Sequence, residues 1–349
     1  MNREKIEAFL GRFVEIASGA TTLGLLAVAD RSGLSSYLGE NGSGTSTQIA
    51  EGAQLDERYV REILSGLAAA RVVDYDPESG TFTLPPEHAL FLADSDSPYF
   101  MGGWMDMIPA MFRQIDGVAT ATVHGGGVGF EEFGDEIIKG IDRGNTPSQR
   151  AFLTSKWLPG VPGLIESLES GIRVADVGCG SGTVARLIGE NYPHSQVLGY
   201  DASQSSIAVA RSRAEGVPNV EFHAYAVKEI PTEPGFDLIT TFDVVHDLTD
   251  PEGALEHIKT ALMPDGWYLL MEPNASSHLE ENINDIGALL YGTSALHCMT
   301  QSLANGGAGL GAAWGSDTTE QLVRGAGFTS FEYLEEISNR FSAFYLARH

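Results

Sequence analysis

The sequence has few cysteines and few basic residues, and each shortage argues against a class of protein. Cys179 and Cys298 are the only cysteines in 349 residues, and no C-x-x-C spacing occurs, so we expect no disulfide framework. Lys and Arg number 21 against 47 Asp and Glu, which gives a net charge of −26. Because such a surface repels polyanions, the composition disfavours nucleic acids and anionic membranes as partners.

Long apolar runs are also scarce. By inspection of the sequence, no stretch approaches the roughly 18 apolar residues of a membrane-spanning helix, so we expect no membrane segment. Acidic residues near Met1 do not resemble a signal peptide, and we therefore expect a cytoplasmic protein. The length fits about two domains.

Residues 1–95 have the pattern of a helical domain with a small β-hairpin. Apolar spacing, capping residues and turn residues together predict a winged helix. The predicted elements are helices 4–16, 21–31 and 57–70, a short helix capped by Ser46 or Thr47, and strands 72–75 and 81–84.

A winged helix most often binds DNA, but the charges of this one oppose that interpretation. Residues 1–95 contain seven Lys or Arg against fourteen Asp or Glu, and Glu57 and Glu62 accompany the arginines of helix 57–70. Helix 21–31 is nearly all apolar, which indicates burial, here by a second chain. We therefore predict a dimerisation domain, with a ligand-sensing transcriptional regulator as the alternative.

Residues 96–160 form a predicted helical connector, rich in Met and aromatic residues, that contributes to a substrate pocket. Residues 278–314 are partly helical and Gly-rich, and they interrupt the α/β pattern beyond the carboxyl end of a strand, where a lid would lie. Each large side chain in these segments is about as typical of a core as of a pocket. The candidate pocket residues are Met101, Trp104, Phe130, Trp157, Tyr291, His297 and Trp314.

Residues 161–349 alternate between apolar strands and helices, which predicts a mainly parallel sheet that ends in an antiparallel hairpin. A buried strand, 172–177, runs into the turn Gly178-Cys-Gly-Ser-Gly182, and a helix follows. Gly178, Gly180 and Gly182 allow a tight turn and the close approach of a ligand. Asp176 before the turn and Asp201 after the next strand fit an adenosine-containing cofactor, because a carboxylate at such a place accepts hydrogen bonds from the ribose hydroxyls.

The segment Val174-Ala-Asp-Val-Gly-Cys-Gly-Ser-Gly182 resembles the first motif of class I S-adenosylmethionine-dependent methyltransferases. Asp201, the stretch 236–247 and the stretch 262–273 resemble the next motifs of that family in the same order. With the winged helix, the whole chain is similar to the small-molecule methyltransferases of bacteria and plants. The resemblance implies a Rossmann-like α/β fold with a seven-stranded sheet, S-adenosylmethionine as cofactor, a small-molecule acceptor and a homodimer formed through the N-terminal helices.

The resemblance also implies roles for individual residues around the cofactor. Asp201 takes the ribose hydroxyls, and Asp176 lies near the ammonium of the amino-acid end. One departure is that Ala226 stands where many relatives have an Asp that contacts adenine. The adenine contact is therefore expected from the backbone or from another residue such as Tyr225 or His223, or the affinity for the cofactor is reduced. The complete expected set is Asp176, Gly178, Gly180, Gly182, Asp201, Ala202, Ala226, Thr241 and Phe242.

His246 is the candidate general base, because an imidazole with a pKa near ~6.5 suits proton removal from a hydroxyl. The pair His246-Asp247 resembles the His-Asp pair of plant-type O-methyltransferases, and Glu272 resembles a carboxylate that orients the imidazole. In that family a second Glu also orients the imidazole. Its position falls near Ala313 in this sequence, so the second carboxylate is missing. The alternatives are a structural His246 and methylation of carbon, nitrogen or sulfur without a protein base. His124, His297 and Cys298 are too scattered to favour a metal, and we expect none.

Overall fold

We describe the protein from a computed structural model that covers all 349 residues. The chain divides into two compact units. The first unit comprises Met1–Ala110 and Asp135–Ser148, and the second comprises Met111–Gly134 and Gln149–His349. The predicted domain boundaries at residues 95 and 160 and the lid 278–314 stay predictions.

The helices and strands are numbered here in chain order. The helices are α1 (Arg3–Arg31), α2 (Leu34–Asn41), α3 (Ser46–Ala53), α4 (Glu57–Ala69), α5 (Pro86–Leu92), α6 (Gly102–Arg113), α7 (Ile115–His124), α8 (Asp135–Phe152), α9 (Leu164–Ser170), α10 (Thr183–Asn191), α11 (Gln204–Arg213), α12 (Pro251–Ala261), α13 (Asp285–Thr293), α14 (Met299–Ala304) and α15 (Ser316–Gly325). The strands are β1 (Asp74–Asp76), β2 (Thr81–Thr83), β3 (Arg173–Val177), β4 (Gln196–Tyr200), β5 (Val220–His223), β6 (Phe236–Phe242), β7 (Leu262–Pro273), β8 (Ser330–Tyr333) and β9 (Ser342–Arg348). Short 3₁₀ or π turns lie between several of them.

The first unit contains the predicted helices and the predicted hairpin. The apolar face of α4 is buried against the other helices, as its spacing predicts, and Asp56 caps α4 by accepting from the backbone N–H groups of Arg58 and Tyr59. The cap of α3 is Thr45, however, and the prediction of Ser46 or Thr47 is wrong. Thr45 has the extended backbone of a cap and forms a capping box with Gln48.

Helix α1 is one 29-residue helix, so the prediction of separate helices over 4–16 and 21–31 is wrong. Gly19 and the threonines around it weaken helical propensity, but they did not end the helix.

The prediction that no stretch could cross a membrane also fails on length and composition. An 18-residue window of α1 has a mean hydropathy of 1.4 and is only 11% buried. This is weak evidence for a membrane span, because a core helix or a signal sequence has the same composition.

The hairpin strands are shorter than predicted. β1 begins at Asp74, because Arg71 has a φ of 62° and the N–H of Val72 bonds back to the carbonyl of Leu67 in a tight turn. β2 pairs with β1 in antiparallel register from Asp74↔Thr83 to Asp76↔Thr81.

The second unit is built on the predicted seven-stranded sheet, with strand order β5-β4-β3-β6-β7-β9-β8. The strands β5, β4, β3, β6 and β7 are parallel, and β9 pairs antiparallel with both β7 and β8. The chain leaves β3 toward β4 on one side and later returns to β6 on the other. In an open α/β sheet, the crevice at such a reversal of strand order is where ligands bind.

Two hydrophobic clusters cover the two faces of this sheet. Neighbouring residues of a strand point to opposite faces, so Val174 and Ala175 belong to different clusters, as do Leu269 and Leu270. The central strands are therefore buried on both sides, and their polar residues stand out as candidates for a site.

The first unit is held together by a buried group of charges. Asp106 of α6 is only 1% exposed, and its Oδ2 lies 2.6 Å from Arg143 of α8. Arg143 also donates to both carboxylate oxygens of Asp30 in α1, at 3.0 and 2.9 Å. Lys139 and Arg31 lie farther from Asp106, at 3.4 and 3.8 Å. Hydrogen bonds to Asp30 and Asp106 raise the pKa of Arg143, so this guanidinium stays charged.

We predict that Arg143→Met lowers the free energy of unfolding by about 3 kcal/mol, because it removes the shortest ion pair of the buried Asp106 and leaves only the longer contacts with Lys139 and Arg31. Urea denaturation measures the effect. The matched control is Arg3→Ala, which removes an exposed pair with Glu7 and should leave the unfolding curve unchanged. Equal midpoints for the two variants would contradict a stabilising role for the buried group.

Candidate active site

The glycine turn predicted from the sequence lies at the carboxyl end of β3, between β3 and α10. Gly178, Gly180 and Gly182 have φ values of 70°, 51° and 81°, which disfavour other residues. A Cβ at Gly182 would lie 2.6 Å from the ring of Phe222, and a Cβ at Gly178 would lie 2.4 Å from Val244. A Cβ at Gly180 would meet no atom within 4 Å. The outer glycines therefore serve packing, whereas Gly180 borders open space.

Asp201 follows β4 and is tied to the glycine turn. Its Oδ2 accepts from the N–H of Gly180 at 2.9 Å, and its Oδ1 accepts from the N–H of Ser203 at 2.8 Å. Burial raises the pKa of Asp201 although these two hydrogen bonds favour the carboxylate. Each oxygen retains a further acceptor position, so the group can still receive hydroxyl donors.

Asp176 at the end of β3 is buried and only partly satisfied. Its Oδ1 accepts from the hydroxyl of Thr240 on β6 at 2.8 Å, whereas its Oδ2 makes no hydrogen bond. Burial raises the pKa of Asp176 to about 7. A buried carboxylate with an unsatisfied oxygen is costly unless a ligand completes it, and a cationic ammonium would do so. The two carboxylates therefore fit a cofactor that carries both an ammonium and ribose hydroxyls.

The other predicted cofactor residues lie in different surroundings. Ala202 and Ala226 are exposed, and the N–H of Ala226 donates to Glu229. Thr241 is fully buried and shares a hydrogen bond with the Tyr268 hydroxyl, so its side chain is already engaged. Phe242 packs edge-on against Trp157, with ring centroids 5.9 Å apart. His223 and Tyr225 stack on each other with centroids 5.6 Å apart, just before Ala226.

His246 and Glu272 meet at the carboxyl ends of β6 and β7, as the resemblance predicts. Nδ1 of His246 lies 2.6 Å from Oε2 of Glu272, and Oε1 of Glu272 accepts from the N–H of Val245 at 2.9 Å. His246 is 4% exposed and Glu272 is 1% exposed. The carboxylate therefore fixes Nδ1 as the donor and leaves Nε2 as the nitrogen for chemistry.

Charges around His246 control its protonation. Nε2 lies 3.4 Å from Oδ1 of Asp247, an oxygen that makes no hydrogen bond. Burial by itself lowers the pKa of His246, but the charges of Asp247 and Glu272 and hydrogen bonds with Cys298 and Glu272 outweigh it and raise that pKa well above its usual value. At neutral pH the imidazole is therefore protonated before an acceptor binds.

Cys298 and His297 come from a π-helical turn, Ser294–Cys298, between α13 and α14. Burial and the charge of Asp247 raise the pKa of Cys298 to about 12, so it remains a thiol. Ligand atoms of His246, Asp247 and Cys298 lie within 4.8 Å of one another, a spacing that could hold a metal ion. His124, which the sequence analysis also weighed, lies at the end of α7 and is not part of this group.

The predicted pocket residues are divided between the two units. Met101 and Trp104 belong to the first unit, and the others belong to the second. Phe130 is the one that contacts His297, with ring centroids 6.0 Å apart. The remaining three lie in other surroundings: Trp157 and Trp314 are buried in the two sheet clusters, and the hydroxyl of Tyr291 accepts from Asn282.

Two residues of the site, Thr240 and Phe133, escaped prediction, and Cys298 was weighed only as a metal ligand. Thr240 supports Asp176, Phe133 packs edge-on against His297 with centroids 4.9 Å apart, and Cys298 contacts His246. A signal for Thr240 was available, because two threonines interrupt an otherwise apolar buried strand. Nothing in the local sequence marks Phe133 or Cys298.

Comparison with known proteins agrees with this geometry. A family model described as a methyltransferase domain matches residues 168–322, and one described as an Rv2258c-like winged helix-turn-helix domain matches residues 19–94. The chain therefore carries a methyltransferase domain behind a winged-helix domain. A methyltransferase domain implies S-adenosylmethionine as its cofactor, as predicted.

Solved methyltransferases share the fold of this chain from end to end. The human N-acetylserotonin methyltransferase, solved in complex with S-adenosylmethionine, aligns with a TM-score of 0.71 and 19% identity over 100% of this chain and 99% of its own. The mitomycin 7-O-methyltransferase MmcR aligns with a TM-score of 0.74 and 17% identity over 100% of both chains. These likenesses confirm the predicted Rossmann-like methyltransferase fold with its helical N-terminal region.

The similarity to curated sequences is more local. The ubiquinone biosynthesis O-methyltransferase of Chromobacterium violaceum is 33% identical over 116 residues, which are 32% of this chain and 49% of that protein. The chain thus spans about half the length of this relative. A likeness of this extent leaves the acceptor open.

We predict that Gly180→Ala and Gly182→Ala separate ligand binding from packing in the methyltransferase domain. Gly182→Ala should lower the free energy of unfolding by about 2–3 kcal/mol, because its Cβ overlaps Phe222 and its φ is positive. Gly180→Ala should cost only about 1 kcal/mol of strain and weaken the binding of S-adenosylhomocysteine at least tenfold. Calorimetric titration and thermal unfolding measure both. Unchanged affinity in Gly180→Ala would contradict a cofactor site at the turn.

Proposed function

We propose that the protein is an S-adenosylmethionine-dependent methyltransferase that methylates an oxygen of a small, largely apolar or aromatic acceptor, with His246 as general base. The observation that carries the proposal is the buried contact of 2.6 Å between His246 and Glu272. A buried imidazole oriented by a carboxylate beside a methyltransferase cofactor site is suited to deprotonating a hydroxyl. The O-methyltransferases among the relatives support the same choice of atom.

The residues of the chain divide the work between cofactor and acceptor. Asp201 would hold the ribose hydroxyls and Asp176 the ammonium, while the bound cofactor supplies an electrophilic methyl group on a sulfonium. Nε2 of His246 would accept the proton of the acceptor hydroxyl, which makes that oxygen the nucleophile. Glu272 would keep the imidazole oriented and stabilise the charge that it gains.

The alternative is transfer to carbon, nitrogen or sulfur of an already reactive acceptor, without a protein base. His246 would then be a structural residue that satisfies Glu272 and Asp247. The two possibilities differ in how the rate depends on His246 and on pH.

We predict that His246→Ala lowers kcat by about 10²–10⁴-fold if it is the base. Because its pKa is raised, kcat/KM should increase with pH up to a point well above the usual pKa of a histidine. Asp247→Asn removes a charge that raises this pKa, so the rise should move to lower pH. Rate–pH profiles of the three proteins, with S-adenosylhomocysteine affinity as the control for the cofactor site, measure both effects. Near-native turnover of His246→Ala would favour the alternative.

The winged-helix domain is proposed to dimerise the enzyme rather than bind nucleic acid. Both arginines of α4 are paired within the helix, Arg58 with Glu62 and Arg61 with Glu57 at 3.5 Å, so they offer little charge to phosphates. Helix α1 presents large apolar side chains to solvent, among them Phe9 and Phe13 at 67% and 57% exposure. An exposed apolar helix of this length needs a partner, and a second copy of the chain fits it.

We predict that the protein is a dimer by light scattering coupled to gel filtration, and that Phe9→Glu with Phe13→Glu converts it to a monomer. The reason is that two charges would lie in the centre of an apolar interface. The matched control is Val209→Glu, an exposed apolar residue of α11, which should leave the dimer intact. A monomeric native protein would contradict the proposal.

The cytoplasm remains the proposed location, since both cysteines are free thiols, as in a reducing compartment.

A further inference from the structure

His297 is a buried histidine that the proposed reaction does not use. It is 2% exposed, and its Nδ1 lies 3.6 Å from the sulfur of Cys298, whereas its Nε2 is buried without a hydrogen-bond partner. Nε2 of this ring can take part in one hydrogen bond with a ligand. An unsatisfied buried nitrogen destabilises the protein on its own, which suggests that a ligand completes it.

The ring of His297 is held in a fixed position. Phe133 and Phe130 approach it edge-on, at interplanar angles of 66° and 67°. The segment before them is fastened to α14, because the N–H of Val128 donates to the Thr300 hydroxyl at 2.9 Å. A Cβ at Gly127 would lie 1.8 Å from the carbonyl oxygen of Thr300, so the two backbones are in direct contact.

His297 lies beside the proposed base. The charges of Asp247 and His246 both act on its imidazole, and Cys298 contacts both histidines. The π turn brings this about, since it adds a residue to the helical turn and turns His297 and Cys298 inward together. The second unit therefore brings together the edges of Phe130 and Phe133, the unpaired Nε2 of His297 and the proposed base.

We propose that Nε2 of His297 hydrogen-bonds a second polar atom of the acceptor, adjacent to the oxygen that is methylated. The acceptor class that fits is a flat aromatic compound with two neighbouring oxygen functions, such as an ortho-dihydroxy ring. One oxygen faces His246, the other pairs with His297, and the ring contacts Phe130 and Phe133. This inference rests on the proposed function and assigns His297 as a residue that determines specificity.

The test compares matched acceptors that differ by one hydroxyl: phenol with catechol, and naphthol with its ortho-dihydroxy counterpart. The native enzyme should methylate the dihydroxy member of each pair with about tenfold higher kcat/KM, the size expected for a hydrogen bond that leaves a buried group unpaired when it is missing. His297→Leu should abolish the preference, mainly by raising KM for the dihydroxy acceptor. His297→Gln, whose amide can reach the position of Nε2, should restore part of it.

Two controls separate the possible failures. His278→Leu changes an exposed histidine of the same segment and should keep the preference. Because Nε2 has no partner in the protein, His297→Leu should not lower the melting temperature, whereas a structural His297 would make it fall. A native preference that survives in His297→Leu overturns the assignment. So does a native enzyme that binds S-adenosylhomocysteine but methylates no member of the panel. Failure to bind S-adenosylhomocysteine would instead overturn the proposed function.

Discussion

The contact between Glu272 and His246 depends on the register of the two central strands. β6 and β7 pair from Leu238↔Trp267 to Phe242↔Met271, which places the turn after β6 beside the last residues of β7. Asp243 makes that turn with a φ of 57° and donates its N–H to the carbonyl of Met271 at 2.9 Å. A one-residue slip would point Glu272 to the opposite face. A carboxylate this deeply buried is tolerable only with its partners in place, so the fold and the site stabilise each other.

The carboxylates around His246 then explain why, in the proposed mechanism, it becomes a base only when an acceptor binds. His246 lies between two carboxylates that raise its pKa, so in the resting protein it holds a proton and is not free to accept another. An acceptor that enters beside Nε2 would separate the imidazole from Asp247, the nearer charge on that nitrogen, and lower its proton affinity. Glu272 would remain bound at Nδ1 and keep the ring aligned. The neutral imidazole, which can accept a proton, would thus form where the acceptor hydroxyl is present.

The sequence predicted the elements that follow a repeating apolar pattern and the residues that belong to a family motif. It did not predict the features that depend on tertiary packing. Alternation of apolar segments indicated all seven strands of the large sheet, and the resemblance indicated Glu272 as the partner of His246. Helix α1 was predicted as two helices from two apolar runs, although residues 17–20 between them continue the same helix. The contact of Cys298 with His246 and that of Phe133 with His297 were not predicted. The first depends on a π turn and the second joins residues 164 apart in sequence, and neither leaves a periodic signal.

The proposed roles also separate the choice of donor from the choice of acceptor. The residues suited to the cofactor, Asp176 and Asp201, lie at the carboxyl ends of β3 and β4, which form the floor of the site. Asp176 accepts a hydrogen bond from Thr240, and Asp201 accepts one from the glycine turn. His297, Phe130 and Phe133 lie on segments that are fastened to each other through Gly127 and Thr300 rather than to that floor. Substitutions at these side chains can therefore alter which acceptor fits without disturbing Asp176 or Asp201. A fold that keeps one methyl donor can in this way serve many acceptors, since the two requirements fall on different segments.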